Sequence, residues 1–411
     1  MLEQVLIIAI KKPDQEQTRF QSSLEELKSL VQTAGGDVKT VVTQNRQHIH
    51  PALYFGEGKA REIKRMVEEL EIDVVISNDE LSAGQSRNLS NLLGTRLIDR
   101  SQLILDIFAK RARTKEGKLQ VELAQLAYLL PRLHGQGSQL SRLGAGIGTR
   151  GPGETKLETD QRHIRKRITD IKHRLKSAVK QREQYRTRRK NSDIFQVAIV
   201  GYTNAGKSTL FNRMSKSLSL EENKLFATLD PMTRKVVLPS GFTTLATDTV
   251  GFIQDLPTSL IAAFRSTLEE VNEADLILHV VDGSHPDQLH HQQVVNDLLR
   301  QLGAETIPTL TVYNKKDLFT DDMIAVQHPY ISMSALSERD IDQLKQKMEE
   351  VLKSFWGKYE IALPAAQSQK LFLLQKESII VARFFDEEQE KYLITGYIKD
   401  DNILQSIIKE K

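Results

Sequence analysis

Gly201-Tyr202-Thr203-Asn204-Ala205-Gly206-Lys207-Ser208-Thr209, GYTNAGKST, decides how this chain is read. The apolar run Val197–Val200 precedes it and reads as a buried strand; a helical pattern (Leu210, Phe211, Met214) starts from Lys207. Strand, glycine-rich turn and helix form the context of a phosphate-binding loop, and Gly201, four residues, then Gly206-Lys207-Ser208 is its spacing. Glycines let successive N–H groups point inward at a phosphate, and the helix N-terminus adds partial positive charge. In that geometry Lys207 reaches the β- and γ-phosphates and the Ser208 hydroxyl is a Mg²⁺ ligand. An ordinary glycine-rich turn would not call for lysine and serine at these two offsets.

The base is named further along. Thr311-Val312-Tyr313 reads as a strand ending in Asn314-Lys315-Lys316-Asp317, the pattern N-K-x-D. The Asp317 carboxylate can accept from N1–H and the 2-amino group of guanine, whereas adenine would leave it desolvated and unpaired. Asn314 is expected at the O6/N7 side and the Lys315 stem along the ring. Asp248-Thr249-Val250-Gly251 fits D-x-x-G, with Asp248 on Mg²⁺ through water and the Gly251 N–H on the γ-phosphate. Between these lies Phe226-Ala227-Thr228-Leu229-Asp230, where Thr228 is the expected switch threonine and Mg²⁺ ligand, with Thr233 as runner-up. Ser332-Met333-Ser334-Ala335 is expected to back guanine O6 through backbone N–H groups. Lys207, Thr228, Gly251 and Asn204 are the expected catalytic positions.

Phe252 follows Gly251, where Ras-like enzymes place a water-orienting glutamine. Phenylalanine cannot do that, so intrinsic hydrolysis should be slow. Asn204 then has two readings. It holds K⁺ beside the phosphates to neutralise developing charge, or it merely stabilises the turn.

Length and composition bound the rest. A chain of 411 residues suggests two to four domains. There are no cysteines, so disulfides and thiolate metal sites are excluded. The apolar run Val5–Ile10 is too short for a signal sequence or a membrane span. The expectation is a monomeric cytoplasmic protein, with peripheral membrane association left open.

We expect a multidomain α/β protein. Residues 1–113 alternate strand and helix patterns: Val5–Ile10, Ser22–Ala34, Val38–Val42, Ala60–Leu70, Asp73–Ile76, Ser82–Leu93 and Leu97-Ile98. That predicts a mostly parallel, helix-covered sheet. Gly56-Glu57-Gly58-Lys59 reads as a turn and helix start rather than a second phosphate loop. Residues 114–192 predict an antiparallel helical hairpin. Leu119, Leu123, Leu126, Leu130 and Leu133 form one seam, and Leu157, Ile164, Ile168, Ile171, Leu175 and Ala178 the other. Thr155 and Glu158 form a capping box for a second helix, Lys156–Lys190, of about 50 Å. That helix carries 14 Lys or Arg against 4 Asp or Glu, a net of +10 in a chain of +3 overall. Charge concentrated on one element points to a polyanion. The tip, His134–Thr155, holds seven glycines with Arg142 and Arg150. It is either a basic probe of RNA or a flexible linker. Residues 193–357 are the P-loop domain, of Ras-like α/β type. Residues 358–411 are a small α+β domain: a linker at Leu363-Pro364, a helix over Ala365–Lys376, strands Ile379–Phe385 and Lys391–Ile398, and a last helix, Asn402–Lys409.

LFATLDPMTR (Leu225–Arg234), DTVGFIQDLP (Asp248–Pro257), AFRSTLEE (Ala263–Glu270), GPGETKLETD (Gly151–Asp160) and YFGEGK (Tyr54–Lys59) together resemble the HflX family of ribosome-associated GTPases. Met232 stands where many members carry a small polar residue, beyond the Mg²⁺ ligand. The resemblance implies hydrolysis of GTP to GDP, with ATP also handled by some members. It also implies docking on the large (50S) ribosomal subunit and splitting of stalled or idle ribosomes under stress. It makes the hairpin a ribosomal-RNA probe, with Arg142, Arg150, Gly151, Gly153, Arg165, Lys166 and Arg167 as expected contacts. The competing readings are an ATP- or GTP-driven RNA remodeller and a ribosome-assembly or RNA-chaperone factor in which nucleotide is regulatory.

Overall fold

The computed structural model describes residues 2–133, 156–190, 194–216, 225, 226, 228, 231–254, 271–319 and 325–399, without the side chains of 156–158, 179–190 and 368. They divide into two compact units. The first holds residues 2–179 with Leu225, Phe226, Thr228 and Gln254; the second holds the remainder.

In the first unit, strands β1 (Glu3–Lys11), β2 (Gly36–Asn45), β3 (Val74–Ser77) and β4 (Arg96–Asp99) form a parallel sheet in the order β2-β1-β3-β4. Val5–Ile10 of β1 are all buried, as a central strand covered on both faces requires. Helices α1 (Gln17–Ala34), α2 (Glu57–Glu69) and α3 (Ala83–Leu93) are the crossovers. Phe20, Leu24, Leu27, Leu30 and Val31 bury one stripe of α1, which ends on Gly35 at φ +97°. Ser82 and Gln85 form a reciprocal capping box on α3. Gly56-Glu57-Gly58-Lys59 is the plain start of α2, with Gly56 as N-cap.

A helix absent from the sequence reading, α4 (Arg100–Arg111), follows β4 with Asp99 as its N-cap. It packs on α1 and on α5 (Lys115–Arg132). Arg100, first in α4, is 3% exposed and donates to Glu26 of α1 at 2.6 Å and to Asn78 at 3.2 Å.

The hairpin helices are α5 and α6 (Lys156–Lys190). Arg167 of α6 holds both oxygens of Glu122 of α5, at 2.6 and 2.8 Å. These positions lie about equally far from the tip, which is antiparallel register. The buried stripe of α5 is Gly117, Gln120, Val121, Ala124 and Tyr128. The leucine seam, of which Leu119, Leu123, Leu126 and Leu130 are half-buried, stands beside that stripe, because α5 also packs on α3 and α4. On α6, Ile171 is fully buried and Ile164, Ile168 and Leu175 are half-buried. The tip, Thr155 included, lies outside the described residues.

The second unit has a six-stranded sheet, β10-β9-β8-β5-β7-β6. Its strands are β5 (Gln196–Gly201), β6 (Met232–Val237), β7 (Thr243–Asp248), β8 (Leu276–Asp282), β9 (Thr309–Asn314) and β10 (Tyr330–Ser332). All are parallel except β6, an edge strand antiparallel to β7. The chain leaves β5 toward β7 on one side and reaches β8 on the other. The phosphate loop therefore sits at the topological switch point, outside the carboxyl ends of the strands. Helices α7 (Lys207–Met214), α8 (Gln288–Leu302) and α9 (Glu338–Phe355) flank this sheet.

A third sheet, β11-β13-β12, is antiparallel and carries α10 (Ser368–Glu377). Leu363-Pro364, expected as a linker, instead ends strand β11 (Gly357–Pro364), paired with β13 (Lys391–Ile398). Pro364 is tolerated because β11 is an edge strand and Pro364 is its last residue. The strand β12 (Ile379–Asp386) matches the expectation; the expected helix Asn402–Lys409 lies outside the described residues.

Glu26→Ala would strand the buried Arg100 guanidinium. We expect a loss of about 3 kcal/mol in unfolding free energy. Lys28→Ala, at an exposed pair with Glu25, should cost under about 1 kcal/mol. Urea unfolding of the two variants checks the contrast.

Candidate functional site

Two backbone positions shape the phosphate loop. Gly201 has φ +156°, and a Cβ there would lie 2.2 Å from the Val280 carbonyl oxygen. Gly206 has φ +95°, and its Cβ would lie 2.1 Å from Nδ2 of Asn314. Neither position admits a side chain. The loop's entry is laced to the segment after D-x-x-G: the Phe252 N–H donates to the Gly201 carbonyl at 3.1 Å and the Thr203 N–H to the Phe252 carbonyl at 2.6 Å.

Lys207 is 6% exposed and donates to the Tyr202 carbonyl at 2.7 Å. Burial pulls its pKa from 10.5 to about 8, with Asp248 opposing. Gly251 abuts this ammonium: a Cβ there would meet Nζ at 3.0 Å and Thr203 Cγ2 at 2.9 Å. The expected Mg²⁺ ligands Ser208 and Asp248 meet, Oγ donating to Oδ2 at 2.8 Å, and Asp248 is 2% exposed. Paired hard oxygens fit a Mg²⁺ that takes its other ligands from phosphate and water. Among the described residues no cluster of three His, Cys, Asp or Glu could hold a metal without such help. Thr249 is structural, its hydroxyl donating to the Ile199 carbonyl at 2.7 Å, and Val250 is buried.

Asn314 has a structural part that the sequence reading did not anticipate. It is 3% exposed, donates through Nδ2 to the Ala205 carbonyl at 2.8 Å, and accepts at Oδ1 from the Ala335 N–H at 2.8 Å. It staples the phosphate loop to the 332–335 loop. The N–H groups of Met333, Ser334 and Ala335 go to the Tyr313 carbonyl, to Asp340 and to Asn314. Asp317 is exposed in a 3-10 turn at the carboxyl end of β9, beside Lys316. Lys315 has φ +63° and its ammonium pairs with Asp282 at 2.7 Å. Burial would raise the Asp282 pKa, but Lys315 and Ser284 hold it below its ordinary value.

Phe252 is 1% exposed and packs with Val200, Val271, Ile277 and Val295. It cannot swing toward a water. Asn204 is exposed at φ +61° on the loop's rim. Thr233 is paired across the β6–β7 ladder, its hydroxyl 3.0 Å from that of Thr247. Thr228, with Leu225 and Phe226, belongs to the first unit; Ala227, Leu229 and Asp230 lie outside the described residues.

On the hairpin, Arg165 and Lys166 are exposed, and Arg167 is paired with Glu122 of α5. Arg142, Arg150, Gly151 and Gly153 lie outside the described residues.

The sequence reading missed what lies behind the loop. His291 of α8 stacks on Tyr202, centroids 3.7 Å apart and planes within 8°, with His285 at 4.4 Å. No spacing rule marks a histidine in the second turn of a helix as a neighbour of a phosphate loop. His279 in β8 is 1% exposed. Burial brings its pKa from 6.5 to about 4, and burial with His285 and His290 brings that of His291 to about 3.

Family profiles described as GTP-binding GTPase N-terminal, GTP-binding GTPase Middle Region and 50S ribosome-binding GTPase match residues 21–109, 111–189 and 196–315. GTPase HflX of Alkalihalophilus pseudofirmus is 51% identical over 411 residues, covering 100% of this chain and 97% of that one. GTPase HflX of Escherichia coli is 44% identical, covering 86% and 84%. The solved complex of SsGBP with GDP aligns with TM-score 0.50 at 24% identity, over 85% of this chain and 98% of that one, a likeness of fold.

Two pH effects follow. Phosphate charge restores the Lys207 ammonium, so nucleotide binding should take up about 0.1 proton at pH 7 and about 0.8 at pH 8.5 from this group. Titration calorimetry in two buffers of different ionisation enthalpy reads this, and Lys207→Arg should abolish it. His279 and His291 are neutral when folded, and the unfolded chain binds their protons below 6.5. Stability from them is intact above about pH 6.5 and falls as pH drops toward 4. The melting temperature should drop between pH 7 and 5, and less steeply in His279→Gln.

Proposed function

The chain belongs to the HflX family of GTPases, and from that premise we propose that it docks on the large ribosomal subunit in its GTP state and splits stalled or idle ribosomes under stress. GTP is hydrolysed to GDP and phosphate on the subunit. The observation that carries this reading is Phe252, buried and laced to the phosphate loop where a water-orienting side chain would stand. A site built this way turns over slowly alone and waits for a partner. The exposed basic residues of α6, Arg165 and Lys166 among them, favour a polyanionic partner such as ribosomal RNA.

In this reading Lys207 and the loop amides hold the phosphates, and Gly251 reads the γ-phosphate. Ser208, Asp248 (through water) and Thr228 hold Mg²⁺. When bound, that ion neutralises charge developing between the β- and γ-phosphates. Asp317 selects guanine over adenine by accepting from its N1 and 2-amino hydrogens. Asn204 offers an amide oxygen to K⁺ at the loop's rim, a substitute for an arginine finger. Thr228 engages only when the γ-phosphate is present and releases after hydrolysis. The protein acts as a cytoplasmic monomer; among the described residues no helix is long and apolar enough to cross a membrane.

GTP turnover is to be measured with and without purified large subunits. We expect stimulation of at least about tenfold, set against the loss of an arginine-finger-sized contribution. Absence of stimulation at saturating subunits would reject the reading. Asp317→Asn should lose GTP binding. Arg165→Ala with Lys166→Ala should flatten the log–log salt dependence of subunit binding by roughly 1 to 2.

A further inference from the structure

Thr203, third in the phosphate loop, is 7% exposed, and its hydroxyl has no hydrogen-bond partner among the described residues. A buried hydroxyl left without a partner destabilises the fold, and a valine of the same shape would not. The residue is nonetheless held firmly: its N–H donates to the Phe252 carbonyl at 2.6 Å, and Phe252 is anchored in the core. Its side chain lies against Gly251. A Cβ at Gly251 would stand 2.9 Å from Thr203 Cγ2, 3.1 Å from Thr203 Cα and 3.0 Å from the Lys207 ammonium. Thr203 and Lys207 therefore converge on Gly251, where the γ-phosphate is read in the function proposed above. Phe252, the next residue, turns its ring away into the core. An unsatisfied buried polar group calls for a reason, and a catalytic part is one such reason.

We propose that Thr203 is a catalytic residue for GTP hydrolysis, its hydroxyl holding the attacking water at the γ-phosphate in place of the side chain that Phe252 lacks. A threonine hydroxyl accepts as well as donates. It accepts from the water, which leaves a lone pair of the water oxygen free to face phosphorus. The water oxygen then bonds to the γ-phosphorus, and the bond from phosphorus to the bridging oxygen breaks with its electron pair leaving on GDP. One water hydrogen stays on the attacking oxygen and the other passes to a second γ-phosphate oxygen, so the products are GDP and dihydrogen phosphate. Thr203 neither gains nor loses a proton. The hydroxyl that has no partner in the empty loop gains one when GTP and water arrive. This inference rests on the reading of Gly251 and Lys207 as γ-phosphate contacts.

The test uses the full chain with Mg²⁺ and no ribosomal subunits. Thr203→Val, Thr203→Ser and Thr203→Ala are compared with the parent protein. The readouts are the single-turnover rate of GTP hydrolysis, the dissociation constants of GDP and of a non-hydrolysable GTP analogue, and the melting temperature without nucleotide. Thr203→Val should slow hydrolysis at least about tenfold. It should leave both dissociation constants within about threefold and the melting temperature unchanged or raised. Thr203→Ser, which keeps the hydroxyl, should retain most of the rate. A valine variant as fast as the parent overturns the proposal, and so does a serine variant as slow as valine. Parallel loss of rate and of affinity for both nucleotides in Thr203→Val also overturns it, because the hydroxyl then shapes the loop instead of holding the water. If Thr203→Val does not fold, serine against alanine carries the same contrast. Failure of the wider reading is separate: a parent that large subunits do not stimulate rejects the ribosomal function, whereas Thr203 is judged on the contrast between valine and serine alone.

Discussion

The Asn314 side chain is the constraint on which the nucleotide unit depends. One amide donates to the phosphate loop at Ala205 and accepts from the 332–335 loop at Ala335. It fills the space that a side chain at position 206 would need, so Gly206 and Asn314 are one steric decision. Buried at 3%, the amide has no water to fall back on, and loss of either partner would leave a polar group unsatisfied. The carboxyl ends of β5 and β9 are thereby held in one arrangement, and the exposed Asp317 is carried at a set distance from the phosphate grip.

Around that staple the site stores charge and withholds motion. Lys207 is an ammonium in a buried place, with the Tyr202 carbonyl in reach. Burial weakens its hold on a proton, and a phosphate restores it, so binding and protonation are linked. Phe252 is the opposite case. It is an apolar side chain in the core at a position that other enzymes keep mobile and polar.

The first unit contributes more than a platform. Its parallel sheet and α4 build a packed body with a buried ion pair between Arg100 and Glu26. From it rises a hairpin whose two helices are clasped by Arg167 and Glu122. The clasp shows how misleading a charge count is residue by residue. α6 carries a net charge of +10, yet one of its arginines is paired within the hairpin itself.

The sequence by itself determined the phosphate-loop spacing, D-x-x-G, N-K-x-D and the absent glutamine. Each is a matter of which residue type stands at which spacing, and local backbone geometry follows from that. It also yielded the alternating pattern of the first unit, because buried strands and amphipathic helices have periods of their own. It did not yield α4, whose apolar residues Leu103, Ile104, Leu105, Ile107 and Phe108 are too continuous to show one clean face. Nor did it yield β6, whose exposed residues lack alternation. Partners remote in the chain escaped it altogether: Asn314 with Ala205, Lys315 with Asp282, His291 with Tyr202. Those contacts are closed by strand order and helix packing. A pairing between side chains remote in the chain leaves no period or spacing to read, so only the tertiary structure decided it.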